Sequence, residues 1–272
     1  MNTADFDYVR NYIRDQSAIV LEPGKEYLVE SRLQTLARKE NLSSIDTLVS
    51  KLRSDSNNGL HRKLVDVMTT NETSFFRDIH PFDSLWKFLL PELAARHAEK
   101  RQLNFWCGAA STGQEPFSVL MLIAEHFPEL LGWDIKFIAT DLCGEVLARA
   151  QRGRFNQLEV NRGLPASLLV KYFVREGADW EFREDLRRRV EFRELNLVRD
   201  WPLNPPLDIV FLRNVLIYFD VETKKSILAK IRRLLRPGGY LLLGGAETTF
   251  NVDDAFERVV FDKSTFYRVK KA

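Results

Sequence analysis

A chain of 272 residues, 45% hydrophobic and 29% charged, can bury a full core and has room for one large domain beside a smaller one. Its 40 basic and 38 acidic residues leave a net charge of only +2, and residues 1–80 are balanced in the same way, so the concentrated basic surface that binds nucleic acid is absent in bulk. No apolar run reaches the roughly 18 residues of a membrane span, Met1 to Arg14 lacks the apolar stretch of a signal peptide, and Cys107, Cys143 and four scattered histidines make neither a disulfide framework nor a zinc site. The expectation is a cytoplasmic protein without metal, nucleic acid or direct membrane insertion.

From Asp5 to about Met68 the apolar spacing is helical throughout. Pro23-Gly24 ends one helix, and in the next Leu28, Leu33 and Leu36 recur at helical spacing. Ser43-Ser44 offers an N-cap to a third helix carrying Ile45, Leu48, Val49 and Leu52. Asn57-Asn58-Gly59 is a break before a fourth, marked by Leu60, Leu64, Val65 and Met68. A polar segment, Thr69 to Ser74, leads through Phe75-Phe76-Arg77-Asp78 to a helical stretch from about Pro81 to Glu99.

Beyond Leu103 short apolar runs alternate with helical patterns, as a parallel sheet with crossover helices requires. Strands are predicted at Leu103–Trp106, Ile135–Ala139, Val190–Phe192, Ile209–Leu212 and Tyr240–Leu243, and helices at Glu115–Glu125, Glu145–Arg152 and Glu222–Leu235. Arg258–Phe261 and Thr265–Val269 read as a closing antiparallel hairpin. Residues 155–189, charged and holding a turn at Glu176-Gly177-Ala178-Asp179, break the alternation and read as an insertion. The expected division is a helical domain over 1–68, a linker over 69–80 and an α/β domain over 81–272 with an insertion at about 155–190.

Three segments of the α/β part carry chemistry. Asn104 to Pro116 runs from a buried strand through Gly108-Ala109-Ala110-Ser111-Thr112-Gly113 into a helix with Pro116 in its first turn, and small residues there let a ligand approach the backbone. The segment does not match G-x-G-x-x-G, which argues against a nicotinamide cofactor. Ala139-Thr140-Asp141 ends the second strand with a carboxylate placed to accept a ribose diol, or to cap the following helix. Arg213-Asn214 follows the apolar run Ile209–Leu212 at the carboxyl end of a strand expected beside the first one, which is where open α/β sheets bind ligands. Leu235-Arg236-Pro237-Gly238-Gly239 reads as a helix stop and turn before a buried strand. Phe75, Phe76 and Trp106 read as core, and Cys107 and Cys143 as small buried hydrophobes.

Together with Thr70-Asn71-Glu72-Thr73-Ser74-Phe75-Phe76-Arg77, Ser111-Thr112-Gly113-Gln114-Glu115-Pro116, Ala139-Thr140-Asp141 and Arg213-Asn214-Val215-Leu216-Ile217-Tyr218-Phe219, the sequence resembles the CheR-type chemotaxis-receptor glutamate O-methyltransferases across nearly the whole chain. The resemblance implies an all-α N-terminal domain for receptor recognition, then a Rossmann-like class I methyltransferase domain with a small inserted β-subdomain. It implies S-adenosylmethionine as cofactor, S-adenosylhomocysteine as product, and methyl esters on glutamates of the cytoplasmic signalling domain of chemotaxis receptors. Asn71, Thr73 and Arg77 would line the cofactor site from the linker, Glu115 and Asp141 would hold its amino-acid and nucleoside parts, and Asn196-Leu197 would flank the adenine. Arg213-Asn214 would complete the site, with Tyr218 near the transferred methyl and Arg77 orienting the acceptor carboxylate.

The sequence departs from the family at three places. Gly244-Gly245-Ala246-Glu247 stands where relatives often have Gly-His-Ser-Glu, Gln114 replaces a frequent Glu, and the insertion is short between Tyr172-Phe173 and Val190-Glu191-Phe192. Its charge and compact turn point away from the strand addition by which tethered relatives hold a receptor's C-terminal peptide. Arg32, Arg38 and Lys39 are candidate receptor contacts, and nothing argues for more than a monomer. The rival readings are a methyltransferase for a small molecule or nucleic acid, and a cofactor-binding regulatory module without turnover.

Overall fold

The computed structural model describes residues 1–54, 59–203 and 206–270. They form two compact units, Met1–Thr70 with Tyr218–Thr223, and Asn71–Ile217 with Lys224–Ala272.

The first unit holds four helices, α1 (Thr3–Ser17), α2 (Glu26–Lys39), α3 (Ile45–Ser54) and α4 (Gly59–Met68). Each buries one apolar stripe: Val9 and Ile13, then Val29, Leu33 and Leu36, then Leu48, Val49 and Leu52, then Leu60, Leu64 and Met68. Two of the helices, α1 and α3, start where an orphan N–H finds a side-chain acceptor. Asn2 accepts from the Asp5 N–H at 2.9 Å and Ser44 from the Thr47 N–H at 3.1 Å. The break expected at Asn57-Asn58 lies outside the described residues, and Gly59 opens α4. Arg32, one of the candidate receptor contacts, is engaged within its own unit. Its guanidinium donates to the Met68 carbonyl at 2.5 Å and to the Thr70 hydroxyl at 3.0 Å, so it caps the end of α4.

The second unit opens with α5 (His80–Ser84), a π turn (Leu85–Leu89) and α6 (Leu90–Arg96). Then come β1 (Gln102–Gly108), α7 (Gln114–His126), a 3-10 turn (Pro128–Gly132), β2 (Asp134–Asp141) and α8 (Gly144–Arg152). The next stretch is β3 (Arg154–Phe155), α9 (Gln157–Asn161), α10 (Ala166–Tyr172), β4 (Phe173–Glu176), β5 (Asp179–Phe182) and α11 (Glu184–Arg187). Last are β6 (Val190–Glu194), β7 (Leu207–Leu212), a 3-10 turn (Leu216–Tyr218), α12 (Val221–Leu234), β8 (Leu235–Leu243), β9 (Phe256–Phe261) and β10 (Ser264–Val269).

Seven strands make one sheet in the order β6-β2-β1-β7-β8-β10-β9, in which only β10 runs against the others, so that its pairings with β8 and β9 are antiparallel. The chain leaves β1 toward β2 and returns on the other side as β7, so the strand order reverses between β1 and β7 and opens a crevice at their carboxyl ends. Apolar residues fill β1 and β7 without alternation because both faces are covered. One expectation changes here. Leu235 to Gly239 is no separate turn: the β7–β8 pairing runs from Leu207–Leu235 to Ile209–Tyr240 across a bulge that includes left-handed Gly238 (φ 77°).

The insertion is a three-stranded sheet, β3-β5-β4, with three short helices. Gly177, at φ 64°, turns β4 into β5 within two residues. Phe155, Phe173 and Phe182 from this sheet pack with Phe75 and Phe117 of the main body, which makes the insertion part of the same core.

At the amino ends of the strands lies a closed polar cluster. The Asp208 carboxylate accepts the Asn104 N–H at 2.8 Å and lies 2.9 Å from His97 Nε2 and 3.5 Å from Arg236.

Candidate active site

The site is built at the opposite end, where β1, β2, β6 and β7 finish. After Gly108 the chain passes through left-handed Ala109 (φ 54°), Ser111 (φ 51°) and Gly113 (φ 93°) before α7 begins. A Cβ on Gly108 would sit 2.8 Å from Leu212 Cδ1, so a side chain here would have to displace the Leu212 methyl that packs between β1 and β7. The turn is tied to β2 twice. Ala110 N–H donates to the Thr140 carbonyl at 2.9 Å and Ser111 N–H to the Asp141 carboxylate at 2.8 Å.

Asp141 is buried and also accepts the Cys143 N–H at 3.0 Å. Cys143, not Asp141, is the N-cap of α8, so the helix-cap alternative for this carboxylate does not hold. Asp141 instead joins the loops after β1 and β2. Its own carbonyl accepts the Leu195 N–H at 2.9 Å, which brings the end of β6 alongside. There Asn196 Oδ1 accepts the Val198 N–H at 3.1 Å, and the Leu197 carbonyl accepts from Trp201 Nε1 at 3.1 Å and Lys230 Nζ at 3.2 Å. Burial lowers the Lys230 pKa.

Arg213 organises the centre. Its side chain is 2% exposed and donates to Glu115 at 2.6 Å, to Asp78 at 2.8 Å and to the Arg77 carbonyl at 2.9 Å. The guanidinium also lies 5.6 Å from the centre of the Phe82 ring. The other oxygen of Glu115 accepts from Cys107 Sγ at 3.2 Å. Burial first, and the Glu115 charge second, push the Cys107 thiol well above its usual range, so it is a neutral donor. Glu115 keeps 14% exposure and Asp78 52%, which leaves one face of this charge cluster open.

The linker is fixed against that face. Ser111 Oγ donates to the Asn71 carbonyl at 2.8 Å, and Phe76 N–H donates to Ser118 Oγ of α7 at 3.0 Å. Buried Phe75 and Phe76 anchor the stretch, and Phe76, Asp78 and Ile79 are left-handed. Gly163 makes room for it: a Cβ there would fall 2.1 Å from the Phe75 carbonyl oxygen. Thr73 is half-buried in this segment. The Arg77 side chain donates to the Glu72 carbonyl at 3.0 Å, while the neighbouring Asp78 pairs with Arg213.

Glu115, Asp141 and Asp78 against Arg213 leave a net negative charge beside small, left-handed backbone. That donor set suits a ligand with an ammonium, a sulfonium, one carboxylate and a ribose diol. Among the described residues no cluster of histidine, cysteine and acidic side chains could hold a metal ion, and no helix is long and apolar enough to cross a membrane.

Comparison with known families decides the identity. A model of the CheR methyltransferase all-α domain matches residues 4–69, and the model of the CheR methyltransferase S-adenosylmethionine-binding domain matches residues 71–265. The chain belongs to the CheR methyltransferase family. It is 40% identical over 98% of its length to Chemotaxis protein methyltransferase 1 of Pseudomonas aeruginosa, covering 98% of that protein. It is 38% identical to Chemotaxis protein methyltransferase Cher2 of Pseudomonas putida, over 98% of both chains. The chemotaxis protein methyltransferase of Vibrio parahaemolyticus is 38% identical, over 95% of this chain and 94% of that one. This CheR protein is thus an S-adenosylmethionine-dependent methyltransferase of chemotaxis.

Hydrogen bonds connect Asn71 to the turn after β1, and Asp141 to that turn and to the end of β6 before Asn196-Leu197. Arg213 bonds to Glu115 on α7 and to the Arg77 carbonyl, with Asn214 next in the chain, and Thr73 lies in the same linker as Asn71 and Arg77. Tyr218 falls in the helical unit, where its carbonyl accepts the Val20 N–H at 3.0 Å. Sequence reasoning missed Asp78, Ser111, Ser118 and Glu247 as parts of the site's framework. Ser111 stood within the motif already noted. Glu247 could have been found as the acid left standing where the flanking His and Ser are absent.

Proposed function

We propose that this CheR protein methylates glutamate side chains on the cytoplasmic signalling domain of chemotaxis receptors, forming methyl esters. The observation that supports this reading is the anchored linker: Ser111 and Arg213 bind the backbone of Asn71 and Arg77, joining the segment most particular to the family to the cofactor loops. S-adenosylmethionine supplies a methyl group already bonded to a good leaving group, so the protein's task is alignment. A glutamate carboxylate, with a solution pKa of about 4.3, is ionised at neutral pH and requires no general base.

Asp141 then takes the nucleoside and Glu115 the amino-acid end, with Asn71, Thr73, Arg213 and Asn214 around them and Asn196-Leu197 beside the adenine. Arg77 orients the acceptor, because a guanidinium fork matches carboxylate geometry. It is held by a single bond to a carbonyl, so it keeps donors for that purpose.

The receptor is recognised in the cytoplasm by a monomer, through the methylation region. With Arg32 committed to α4, Arg38 and Lys39, both exposed on α2, are the basic residues proposed for that contact. No C-terminal peptide is gripped. β4 is an edge strand with Val174, Arg175 and Glu176 exposed, and its charged pair opposes strand addition.

One assay tests these statements. Labelled cofactor is incubated with a receptor signalling domain, with transfer RNA and with buffer alone. Base-labile label on the receptor is expected, and label on RNA or none at all would overturn the reading. Reversing Arg38 and Lys39 to Glu should raise the receptor KM and leave cofactor binding alone. Micromolar binding of receptor C-terminal pentapeptides at residues 155–190 would refute the tether-free mode.

A further inference from the structure

Four backbone N–H groups converge on one side chain beside the site. Glu247 Oε2 accepts from Gly244 at 2.7 Å and from Asn214 at 2.8 Å, and Glu247 Oε1 accepts from Val215 at 2.8 Å and Ile217 at 3.3 Å. Three of these donors are on the segment that leaves β7, and the fourth is on the loop after β8. The segment needs such a partner. Asn214 is left-handed at φ 57°, the turn Leu216–Tyr218 follows at once, and its leading N–H groups have no acceptor within the turn itself. A concave array of N–H groups is an anion-binding nest, and here the chain fills the nest with its own carboxylate.

The consequence reaches the site through Arg213-Asn214. Arg213 is the last residue before the nest and holds Glu115, Asp78 and the Arg77 carbonyl at once. Gly244 is equally constrained, since a Cβ there would lie 2.7 Å from Asn214 Nδ2 and 2.8 Å from the Glu247 carboxylate. We propose that Glu247 is a positioning residue for methyl transfer: its carboxylate fixes the left-handed turn at Asn214 and so sets Arg213 and Asn214 in register with the cofactor loops.

Glu247→Gln keeps the shape but removes the charge and turns an NH2 group toward the donors. In the full-length protein, S-adenosylhomocysteine affinity should fall about tenfold, the worth of roughly one charge-assisted bond. The kcat should fall with it while the receptor KM stays put. Amide exchange should accelerate at residues 214, 215 and 217 and remain protected in β1 and β2. Glu247→Asp, which retains the charge, should recover part of the lost affinity. Gly244→Ala is the second variant and should show the same local signature by displacing the carboxylate. Wild-type affinity and protection in Glu247→Gln would overturn the proposal. So would loss of protection throughout the sheet in both variants, because the role would then be one of general stability. Binding and exchange are read without a receptor, so failure of the glutamate reading leaves this result standing.

Discussion

The two ends of the central sheet hold similar charges and use them differently. At the amino ends Asp208, 1% exposed, is closed in by Asn104, His97 and Arg236. At the carboxyl ends Arg213 is as deeply buried, but its partners Glu115 and Asp78 retain exposed faces. The backbone differs as well. Among the described non-glycine residues Phe76, Asp78, Ile79, Ala109, Ser111 and Asn214 have positive φ around the second cluster, against Arg101 near the first. Such conformations cost of order 1 kcal/mol or more each and persist where neighbours enforce them. A carboxylate and a guanidinium thus lock the backbone where every side is closed, and keep a face within reach of solvent where strained loops hold one side open.

The largest expected effect breaks the closed end. Asp208→Ala leaves the Asn104 N–H without its buried acceptor and removes the carboxylate beside His97 and Arg236, and losing one partner of such a cluster costs about 3–5 kcal/mol. Urea unfolding should show that loss, while the folded protein binds S-adenosylhomocysteine within about twofold of wild type. Equal losses of stability and affinity would erase the distinction between the two ends.

Asp141→Ala tests the open end. Removing a charge-assisted hydrogen bond to the nucleoside should weaken binding by about 10- to 150-fold, or roughly 1.5–3 kcal/mol. Because the carboxylate also receives Ser111 N–H and Cys143 N–H, stability falls too, and calorimetry must be run where the variant is folded. Unchanged affinity there would reduce Asp141 to a loop anchor.

How far the sequence reveals these ends follows from the range of the interactions. The alternation of β1, β2, β7 and β8 with their helices is local, written in apolar runs, and so are the small residues from Gly108 to Gly113. The partners in each charge cluster are not local. Asp208 lies far along the chain from Asn104 and His97, as Arg213 does from Glu115 and Asp78, and only the closed sheet brings them together. The same limit hid Arg32. Its charge and place on α2 are legible, but its bond to the Met68 carbonyl is a product of helix packing. The bulge in β8 was hidden for another reason, since Pro237-Gly238-Gly239 has the chemistry of a turn and only the pairing with β7 reveals a strand.

The smallest effect belongs to the most exposed pair at the open end. Glu72, 63% exposed, accepts from Arg162, 55% exposed, at 2.7 Å, joining the linker to the insertion. That hydrogen bond, then the Arg162 charge, then the Arg77 charge, lower the Glu72 pKa. A carboxylate whose folded pKa is depressed adds stability above its unfolded pKa, about 4.3, and loses it as pH falls through the folded value. The Tm difference between wild type and Glu72→Gln should therefore be small, positive and flat from about pH 8 to 5, then vanish in acid. It should shrink as salt screens the pair, and cofactor affinity should move by less than about twofold. The backbone anchors from Ser111, Ser118 and Arg213 survive this substitution, which is why little else should change. A difference that persists at pH 3, or a large loss of affinity, would mean that this surface pair holds the linker in place of the buried bonds.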